Sequence, residues 1–427
     1  MSNVALTSSK PSSLPKVVAA GAIGNILEWF DFAVYGYFAV FIGQAFFPQS
    51  DPVAQVIGAF GIFAIGYLAR PIGGILIGHF GDRYGRKFAM TLSVGAMAIP
   101  TFLIGILPGY AAIGIAAPIL LTVLRTVQGL SLGGEYTTSM IFMVEHAPPH
   151  RRNLAGATAA SGAILGILLG SATGALLAAI MPKDMLASWG WRIPFLFGLV
   201  IGLMGVVLRR HLPDGEVNQE GSAPLVQVLR HHPWPVLQVA LLCLVNAVGF
   251  QLVFVYLVSW LQLVDGISPA VAFEVNTTSM AFFLAVTFMS GALADRIGNI
   301  PIMAVSSAGL VVLAIPLFTL LVGASHGTIL IAQMTFGVLL GLYIGAQPGL
   351  IVMHSPKAVR CTALAIGYNL TLGLIGGLSP LTAQWLIHRL DDAVAPGYMI
   401  AVLAAVSFVA LYPFYKREKA SKIALMS

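Results

Sequence analysis

The chain has 427 residues, of which 58% are hydrophobic and only 9% are charged, and its mean hydropathy is +0.90. Soluble domains usually carry roughly 25% charged residues, so this composition excludes a soluble enzyme. The formal net charge of +6 does not indicate nucleic-acid binding, because the basic residues are dispersed through short segments and do not cluster on one face.

Apolar stretches long enough to cross a bilayer, about 20 residues each, recur along the whole chain. They are predicted at 17–47, 53–78, 88–108, 112–147, 154–181, 191–210, 234–264, 269–294, 301–323, 328–354, 361–390 and 396–416. Several exceed one perpendicular crossing, which predicts tilted spans or helices that extend beyond the lipid. The sequence therefore predicts an all-α membrane protein with twelve transmembrane helices.

The basic residues between these stretches predict the orientation of the chain. Most of them lie on the side that holds both termini, whereas the opposite side has only Lys183, Arg192 and Arg389. Residues 1–15 lack the basic-then-apolar order of a cleaved signal peptide, so we expect the first span to be retained. Both termini are expected in the cytoplasm.

The longest polar stretch divides the chain into two sets of six spans. The predicted organisation is a cytoplasmic tail (1–16), an N-terminal six-helix half (17–210), a cytoplasmic central loop (211–233), a C-terminal six-helix half (234–416) and a second cytoplasmic tail (417–427). Residues 78–87, GHFGDRYGRK, follow the second span, and a weaker copy at 291–298, GALADRIG, follows the eighth. This repetition indicates two related halves with a site between them near mid-membrane.

The repeated segment, read as G-x-x-x-D-R-x-G-R-K, resembles the signature loop of the major facilitator superfamily. Three more segments resemble its metabolite:proton symporter branch, which includes proline/betaine, 2-oxoglutarate, citrate and shikimate carriers: 24–32 (GNILEWFDF), 133–136 (GGEY) and 189–195 (WGWRIPF). The resemblance is closest to the proline/betaine type at 33–37 (AVYGY) and 135–136. It implies the major facilitator fold.

This resemblance implies a secondary active transporter, not an enzyme, in a bacterial inner membrane. The expected activity is proton-coupled uptake of a small carboxylate-bearing metabolite by alternating access, driven by the proton gradient with no cofactor and no metal. The expected partners are the solute, H⁺ and the lipid bilayer, and we expect a monomer. Two solute classes stay open, a zwitterion such as proline or betaine and a di- or tricarboxylate such as 2-oxoglutarate or citrate. A transporter-like membrane sensor is a lesser alternative.

The resemblance also implies a cytoplasmic gate in the signature loop and its copy. In that interpretation Asp82 and Asp295 meet helix amino termini or basic partners. The residues assigned to the gate are Gly78, Asp82, Arg83, Gly85, Arg86, Lys87, Asp295 and Arg296.

Span one carries polar residues at three- and four-residue spacing, which places Asn25, Glu28, Asp31 and Tyr35 on one helical face. Ionisable groups at membrane depth cost about 2.5–3.5 kcal/mol each on insertion scales, so they are functional candidates. Desolvation and a neighbouring like charge both favour the neutral carboxyl. Glu28 and Asp31 are therefore predicted proton-coupling residues, the alternative being a carboxylate that only ties span one to its neighbour.

Span four carries a second stripe, with Arg125, Gln128 and Glu135 on one side of the helix. Arginine stays charged, so Arg125 is predicted either to hold a solute carboxylate or to keep a nearby acid ionised until the solute arrives. A purely structural ion pair is the alternative. Glu135 is predicted to relay protons toward the cytoplasm.

Other polar side chains within the spans are candidates to complete a solute site. Together with Arg125 and Gln128, the predicted substrate-binding residues are Asn25, Tyr35, Tyr136, Asn246, Gln251, Tyr256, Tyr368 and Asn369. Arg70 is predicted to be structural and to reach toward the interface. Trp29, Phe30 and Phe32 are predicted to pack or to anchor the span at the interface, the alternative being a cation–π surface for a quaternary ammonium. A glycine ladder at 162, 166, 170 and 174 predicts close packing of span five.

Overall fold

A computed structural model of the protein describes residues 26, 28–48, 51–84, 86–131, 135–210, 228, 230, 233–356 and 360–426. For 74–75, 78–90, 135, 138, 146, 201–202, 204–210 and 421–426 it describes the backbone only. The predicted N-terminal tail, Asn25 and nearly all of the predicted central loop lie outside the described residues.

The first half contains six helical elements that correspond to the first six predicted spans. They are α1 (28–37 and, after a turn at Phe38, Ala39–Phe46), α2 (Pro52–Tyr84), α3 (Arg86–Ile106), α4 (Ala116–Ser131 and Glu135–His146), α5 (Arg152–Ile180) and α6 (Ile193–Arg210). Short helices Tyr110–Ile113 and Lys183–Ser188 lie in the connections before α4 and α6.

The second half repeats this arrangement. Its helices are α7 (Pro233–Leu244, Val245–Tyr256 and Leu257–Leu263 in succession), α8 (Pro269–Ile297), α9 (Asn299–Leu321), α10 (His326–His354), α11 (Arg360–Leu370, Thr371–Gly376 and Gly377–Leu390 in succession) and α12 (Ala395–Ala410). Val245–Tyr256 and Thr371–Gly376 have wide π-helical turns, a geometry that is frequent at functional sites.

Among the described residues, eight helices are long and apolar enough to cross a membrane, and three shorter apolar helices belong to α3, α4 and α6. Together with α1, which continues an apolar stretch that begins outside the described residues, they account for the twelve predicted spans. Apolar side chains such as Ile115, Val312 and Val409 are more than two-thirds exposed, as expected where lipid covers the surface. The predicted all-α fold is confirmed.

Three boundaries differ from the prediction. The signature segment is helical on both sides, since α2 extends to Tyr84 and α3 begins at Arg86. Residues 417–426, predicted as a tail, belong to the helix Tyr412–Met426. The long fourth stretch is divided into Tyr110–Ile113 and the two segments of α4. Hydropathy locates the lipid-embedded part of a helix, but a polar helix can continue into water, so hydropathy misplaces such ends.

The repeated motif ends α8 with a glycine that the backbone requires. Gly298 has φ +92°, in the region that favours glycine because other residues are strained there. The next residue, Asn299, begins α9. Gly298 therefore allows the chain to reverse direction between α8 and α9 without an intervening loop.

The glycine ladder packs α5 against both halves. A Cβ at Gly166 would overlap the carbonyl oxygen of Ile26, before α1, and a Cβ at Gly174 would overlap the ring of Phe273 on α8. Gly170 lies against Ala33 of α1. Small residues at such positions let helix backbones approach closely in lipid, as the sequence predicts.

We expect Gly166→Ala to lower the thermal stability of the purified protein, because overpacking costs typically about 1–3 kcal/mol. The measurement is the unfolding temperature in detergent. Gly95→Ala is the matched control, since no atom lies within 4 Å of a Cβ at Gly95 on α3 and alanine has the higher helix propensity. An equal unfolding temperature for the wild type and Gly166→Ala would contradict the close α1–α5 contact.

Candidate functional site

A cavity lies between helices of the two halves. Its volume is about 30 Å³, which has room for one or two water molecules and none for a metabolite. Aromatic and amide side chains line it, namely Trp29 of α1, Tyr136 of α4, Asn246, Phe250 and Gln251 of α7, and Tyr368 of α11. The structure thus brings together four of the predicted solute-binding residues, and a solute can enter only if the halves separate.

The cavity wall is aromatic on the side where the halves meet. The Tyr136 and Tyr368 rings stack with centroids 5.0 Å apart and 29° between their planes. The Trp29 ring meets Tyr136 edge to face at 6.0 Å. The faces of such rings attract cations, including quaternary ammonium groups. None of the described residues that line the cavity carries a charge.

Two buried polar atoms of the cavity-lining residues have no hydrogen-bond partner in the described part of the chain: the indole nitrogen Nε1 of Trp29 and the amide oxygen Oε1 of Gln251. The Gln251 amide nitrogen donates to the hydroxyl of Tyr67 on α2. Leaving a buried polar atom unpaired costs roughly 1–3 kcal/mol. A solute that accepts from Trp29 and donates to Gln251 would remove both penalties.

A buried ion pair contacts Trp29 and lies outside the cavity lining. Arg70 Nη2 of α2 is 3.3 Å from Glu28 Oε1 of α1, and the guanidinium carbon lies 5.2 Å from the Trp29 ring centroid and 5.3 Å from that of Tyr67. Arg70 is only 3% exposed, so it pairs within the half and does not extend to the interface. Glu28 therefore has a fixed counter-ion next to the cavity.

Asp31 has a different environment. It is 3% exposed, and its Oδ2 accepts a hydrogen bond from the Thr101 hydroxyl of α3 at 3.0 Å. Among the described residues, its Oδ1 has no hydrogen-bond partner and no basic side chain forms an ion pair with it. Asp31 is therefore a buried carboxylate that has no ion-pair partner within 4 Å among the described residues.

A chain of hydrogen bonds connects Asp31 to Arg125. Gln128 Nε2 donates to Thr101 Oγ1 at 2.6 Å, and Arg125 Nη1 donates to Gln128 Oε1 at 2.9 Å. Sequence reasoning predicted Asp31, Gln128 and Arg125 but missed Thr101. Its signal was a hydroxyl in an otherwise apolar stretch of span three, a kind of residue that often bonds between membrane helices.

Arg125 was predicted to hold a solute carboxylate, but it is absent from the described residues that line the cavity. Its guanidinium carbon lies 4.3 Å from the ring centroids of both Phe32 and Tyr35. Its backbone and guanidinium also approach Gly66 of α2, where a Cβ would lie 3.3 Å from the Arg125 carbonyl oxygen. The side chain is enclosed within the first half because α4 turns this stripe toward α1 and α2.

The remaining predicted residues lie elsewhere. The Tyr35 hydroxyl donates to the Ala59 carbonyl at 3.1 Å, and the Tyr256 hydroxyl donates to Gln384 Oε1 at 2.6 Å, so each serves helix packing. Asn369 is buried on α11 outside the cavity lining. Asn25 and Gly85 lie outside the described residues. For Gly78, Asp82, Arg83, Arg86, Lys87 and Glu135 only the backbone is described, and it is helical.

The two halves are joined at the end of the bundle that carries the repeated motif. Asp295 of α8 accepts hydrogen bonds from the backbone N–H groups of Asn153 at 2.9 Å and Leu154 at 3.0 Å, at the start of α5. A carboxylate is favourable there because helix amino termini carry partial positive charge. Arg360 of α11 pairs with Glu145 of α4. Arg296 is exposed.

Polar contacts also join the halves nearer the opposite end. Asn276 of α8 donates to Ser171 Oγ of α5 at 2.9 Å, and Ser171 shares a 2.8 Å hydrogen bond with Thr277. Gln333 of α10 donates to Asn276 Oδ1 at 2.7 Å. The α5–α8 interface is thus closed near both ends, which explains the small cavity.

Comparison with known proteins supports this architecture. The sequence model of the Major Facilitator Superfamily matches residues 21–380. The chain is 33% identical over 425 residues to the glycine betaine/proline/ectoine/pipecolic acid transporter OusA of Dickeya dadantii, covering 96% of this chain and 84% of that protein. It is 34% identical over 412 residues to the proline/betaine transporter of Salmonella typhimurium, covering 93% and 82%.

Solved structures share the fold. The proton:xylose symporter XylE bound to 6-bromo-6-deoxy-D-glucose superposes with a TM-score of 0.74 at 17% identity, covering 93% of this chain and 95% of that one. A partially occluded inward open conformation of XylE from E. coli gives a TM-score of 0.75 at 16% identity, covering 93% and 97%. The chain therefore belongs to the Major Facilitator Superfamily and is a multi-pass membrane transporter, not an enzyme.

Proposed function

We propose that the protein is a proton-coupled symporter that takes up a small zwitterionic solute such as proline or betaine. The observation that carries this proposal is the cavity itself: its described lining is uncharged and aromatic, and holds one donor and one acceptor without a partner among the described residues. The solute carboxylate accepts from Trp29, and the cationic end lies against the aromatic faces. The ammonium of proline also donates to Gln251 Oε1, whereas the quaternary ammonium of betaine, which has no N–H, is attracted to that oxygen by charge alone. The printed activities of the two relatives agree with this solute class.

A di- or tricarboxylate fits this cavity less well. Such an anion would bury two or three negative charges among residues that carry none, and burying an unpaired charge is costly. Arg125 does not compensate, because Phe32 and Tyr35 enclose it away from the cavity lining. The charge of the cavity therefore favours a solute with no net charge.

We further propose Asp31 as the proton-coupling residue. Glu28 already has Arg70 as a counter-ion, whereas one oxygen of Asp31 has no partner in the part of the chain that the structure describes. Protonation removes a buried charge and does not disrupt an ion pair. Arg125 is connected to Asp31 by the hydrogen bonds of Gln128 and Thr101. Binding of both solute and proton then favours movement of the two halves, 17–210 and 234–416, about the site.

Transport into proteoliposomes tests this function. With an imposed gradient, acidic outside, we expect labelled proline or betaine to accumulate above equilibrium, and a protonophore to abolish accumulation. Unlabelled proline and betaine are expected to compete, whereas 2-oxoglutarate, citrate and shikimate are not. Competition by citrate or 2-oxoglutarate alone would establish the organic-acid alternative, and binding without any uptake would indicate a sensor.

We also propose that both termini lie in the cytoplasm of a bacterial inner membrane and that the carrier acts as a monomer. The distribution of Lys and Arg supports this orientation. The Asp295 and Arg360 contacts then form a cytoplasmic gate between the halves.

The gate predicts a specific effect of Asp295→Asn. Weakening a charged contact at a helix amino terminus typically costs about 0.3–1 kcal/mol. We therefore expect the population of the state that is open to the cytoplasm to rise roughly two- to fivefold. The readout is the maleimide labelling rate of Ala160→Cys, which lines the cavity, in a background without Cys243 and Cys361. Glu274→Gln is the control, because Glu274 lies on the same helix and pairs only weakly with His326 at 4.0 Å. Equal labelling of Asp295→Asn and the control would argue against the gate.

A further inference from the structure

We propose that Thr101 is a positioning residue for proton coupling, whose hydroxyl joins the Asp31 carboxyl to the Gln128–Arg125 pair. This inference rests on the proposed function, since it assumes that Asp31 takes up the transported proton. Thr101 is 1% exposed and has no part in the cavity lining. Its effect is therefore on the proton site and not on solute contact.

Three polar atoms lie within hydrogen-bond distance of the Thr101 hydroxyl. Thr101 Oγ1 is 3.0 Å from Asp31 Oδ2, 2.8 Å from the Met97 carbonyl oxygen and 2.6 Å from Gln128 Nε2. A hydroxyl has one hydrogen to donate and two lone pairs to accept with. Gln128 Nε2 can only donate, so it uses a lone pair of the Thr101 oxygen. The single Thr101 hydrogen can therefore be donated either to Asp31 Oδ2 or to the Met97 carbonyl oxygen, but not to both.

The acceptor of the Thr101 hydrogen depends on the charge of Asp31. When Asp31 is ionised, Thr101 donates to its Oδ2, because a hydrogen bond to a charged acceptor is the stronger one. When Oδ2 carries the proton, the carboxyl donates to Thr101 Oγ1, and the Thr101 hydrogen turns to the Met97 carbonyl. Thr101 bonds Asp31 and Gln128 in the ionised state and all three partners in the protonated state, with no movement of heavy atoms. Thr101 thus has one arrangement for each charge state of Asp31.

Packing holds Thr101 in this place. A Cβ at Gly198 of α6 would overlap the Thr101 methyl group and would lie 3.7 Å from Asp31 Oδ1. Glycine at this position therefore lets α6 approach both residues. Among the described side chains, the other ionisable groups of the adjoining helices are Glu28, Tyr35 and Tyr37 on α1, Tyr67 and Arg70 on α2, and Arg125, Tyr136 and Glu145 on α4. Residues 91–106 of α3 and 193–200 of α6 contain no ionisable side chain.

The test is Thr101→Val, which keeps the shape and removes the hydroxyl. Loss of a hydrogen bond to a charged group corresponds to about a tenfold effect, so we expect proton-driven accumulation of labelled proline in proteoliposomes to fall about tenfold. Because the lost donor stabilises ionised Asp31, the pH profile of uptake should move to higher pH. Solute counterflow, which needs no net proton movement, should remain within about twofold. Thr101→Ser should restore both coupling and pH profile.

A purely structural role for Thr101 would reduce uptake and counterflow equally and leave the pH profile unchanged, and that result would overturn the inference. If Thr101→Val does not fold, Thr101→Cys takes its place, because a thiol is similar in size to a hydroxyl but a weaker donor. The pH profile of uptake by Thr101→Cys should then move in the same direction, and an unchanged profile would overturn the inference. Asp31→Asn is measured in parallel. Loss of coupling in Asp31→Asn but not in Thr101→Val rejects the inference alone, whereas retained coupling in Asp31→Asn rejects the proton site itself.

Discussion

Replacing Asp31 with asparagine is expected to abolish accumulation of solute against its gradient while exchange of solute across the membrane continues. Asparagine has the shape of a protonated aspartate, and its amide Nδ2 can donate to Thr101 Oγ1 as the protonated carboxyl does, across the 3.0 Å between Thr101 Oγ1 and the position of Asp31 Oδ2. It cannot take up or release a proton. The variant therefore resembles the permanently protonated carrier, in which the solute moves but the pH gradient supplies no energy.

The measurement compares pH-gradient-driven uptake with counterflow in the same proteoliposomes. We expect uptake to end at equilibration, and counterflow to stay within about threefold of the wild type, because a neutral isostere leaves packing nearly unchanged. Asp51→Asn, an exposed carboxylate near the start of α2, is the control and should retain accumulation. Intact accumulation in Asp31→Asn would remove this residue from the mechanism.

The same experiment separates Asp31 from Glu28. Glu28→Gln leaves Arg70 buried without its counter-ion, and breaking a buried ion pair by removing one partner typically costs about 3–5 kcal/mol. We therefore expect Glu28→Gln to lower thermal stability and all transport modes together. Loss of accumulation with normal counterflow and stability in Glu28→Gln would transfer the proton site to Glu28.

The second large effect is expected in the cavity. Trp29→Phe keeps an aromatic ring against Tyr136 but removes the unpaired indole N–H. A hydrogen bond to a charged group contributes about 1.5–3 kcal/mol, so the affinity for a carboxylate-bearing solute should fall at least about tenfold. The measurement is the concentration dependence of counterflow for proline and betaine.

The chain offers a matched control for this substitution. Trp191 is also fully buried, and its Nε1 also lacks a partner among the described residues, but it packs against Phe46 and Phe195 outside the cavity. Trp191→Phe removes the same group at a distance from the site, so its solute affinity should equal that of the wild type. Equal affinities for Trp29→Phe and Trp191→Phe would show that the indole N–H does not bind the carboxylate.

Much of the fold follows from hydropathy. The predicted stretch 269–294 corresponds to Pro269–Ile297, and 361–390 corresponds to Arg360–Leu390. Apolar runs of this length have few alternatives, because backbone polar groups in lipid must be satisfied within the segment. The ends were less predictable, as the helical signature segment demonstrates, since helix formation outside the lipid does not depend on hydropathy.

The candidate site was only partly predictable, because helical periodicity assigns a face but not a neighbour. Glu28 and Asp31 share one face of α1 as predicted, yet Glu28 contacts Arg70 of α2 and Asp31 contacts Thr101 of α3. Trp29, between them in sequence, lines the cavity. The carboxylates therefore lie behind the cavity wall, within the first half.

The sequence by itself determined the class of the protein, its twelve spans and its repeated motif, since each depends on composition or spacing along the chain. Only the tertiary structure decided which of the charges within the spans are paired, that Arg125 is enclosed by Phe32 and Tyr35, and that Thr101 connects Asp31 to Gln128. These properties depend on the rotation and distance of helices far apart in the chain. Packing of small residues such as Gly66 and Gly198 sets both, and one helix's sequence does not specify which neighbour it meets.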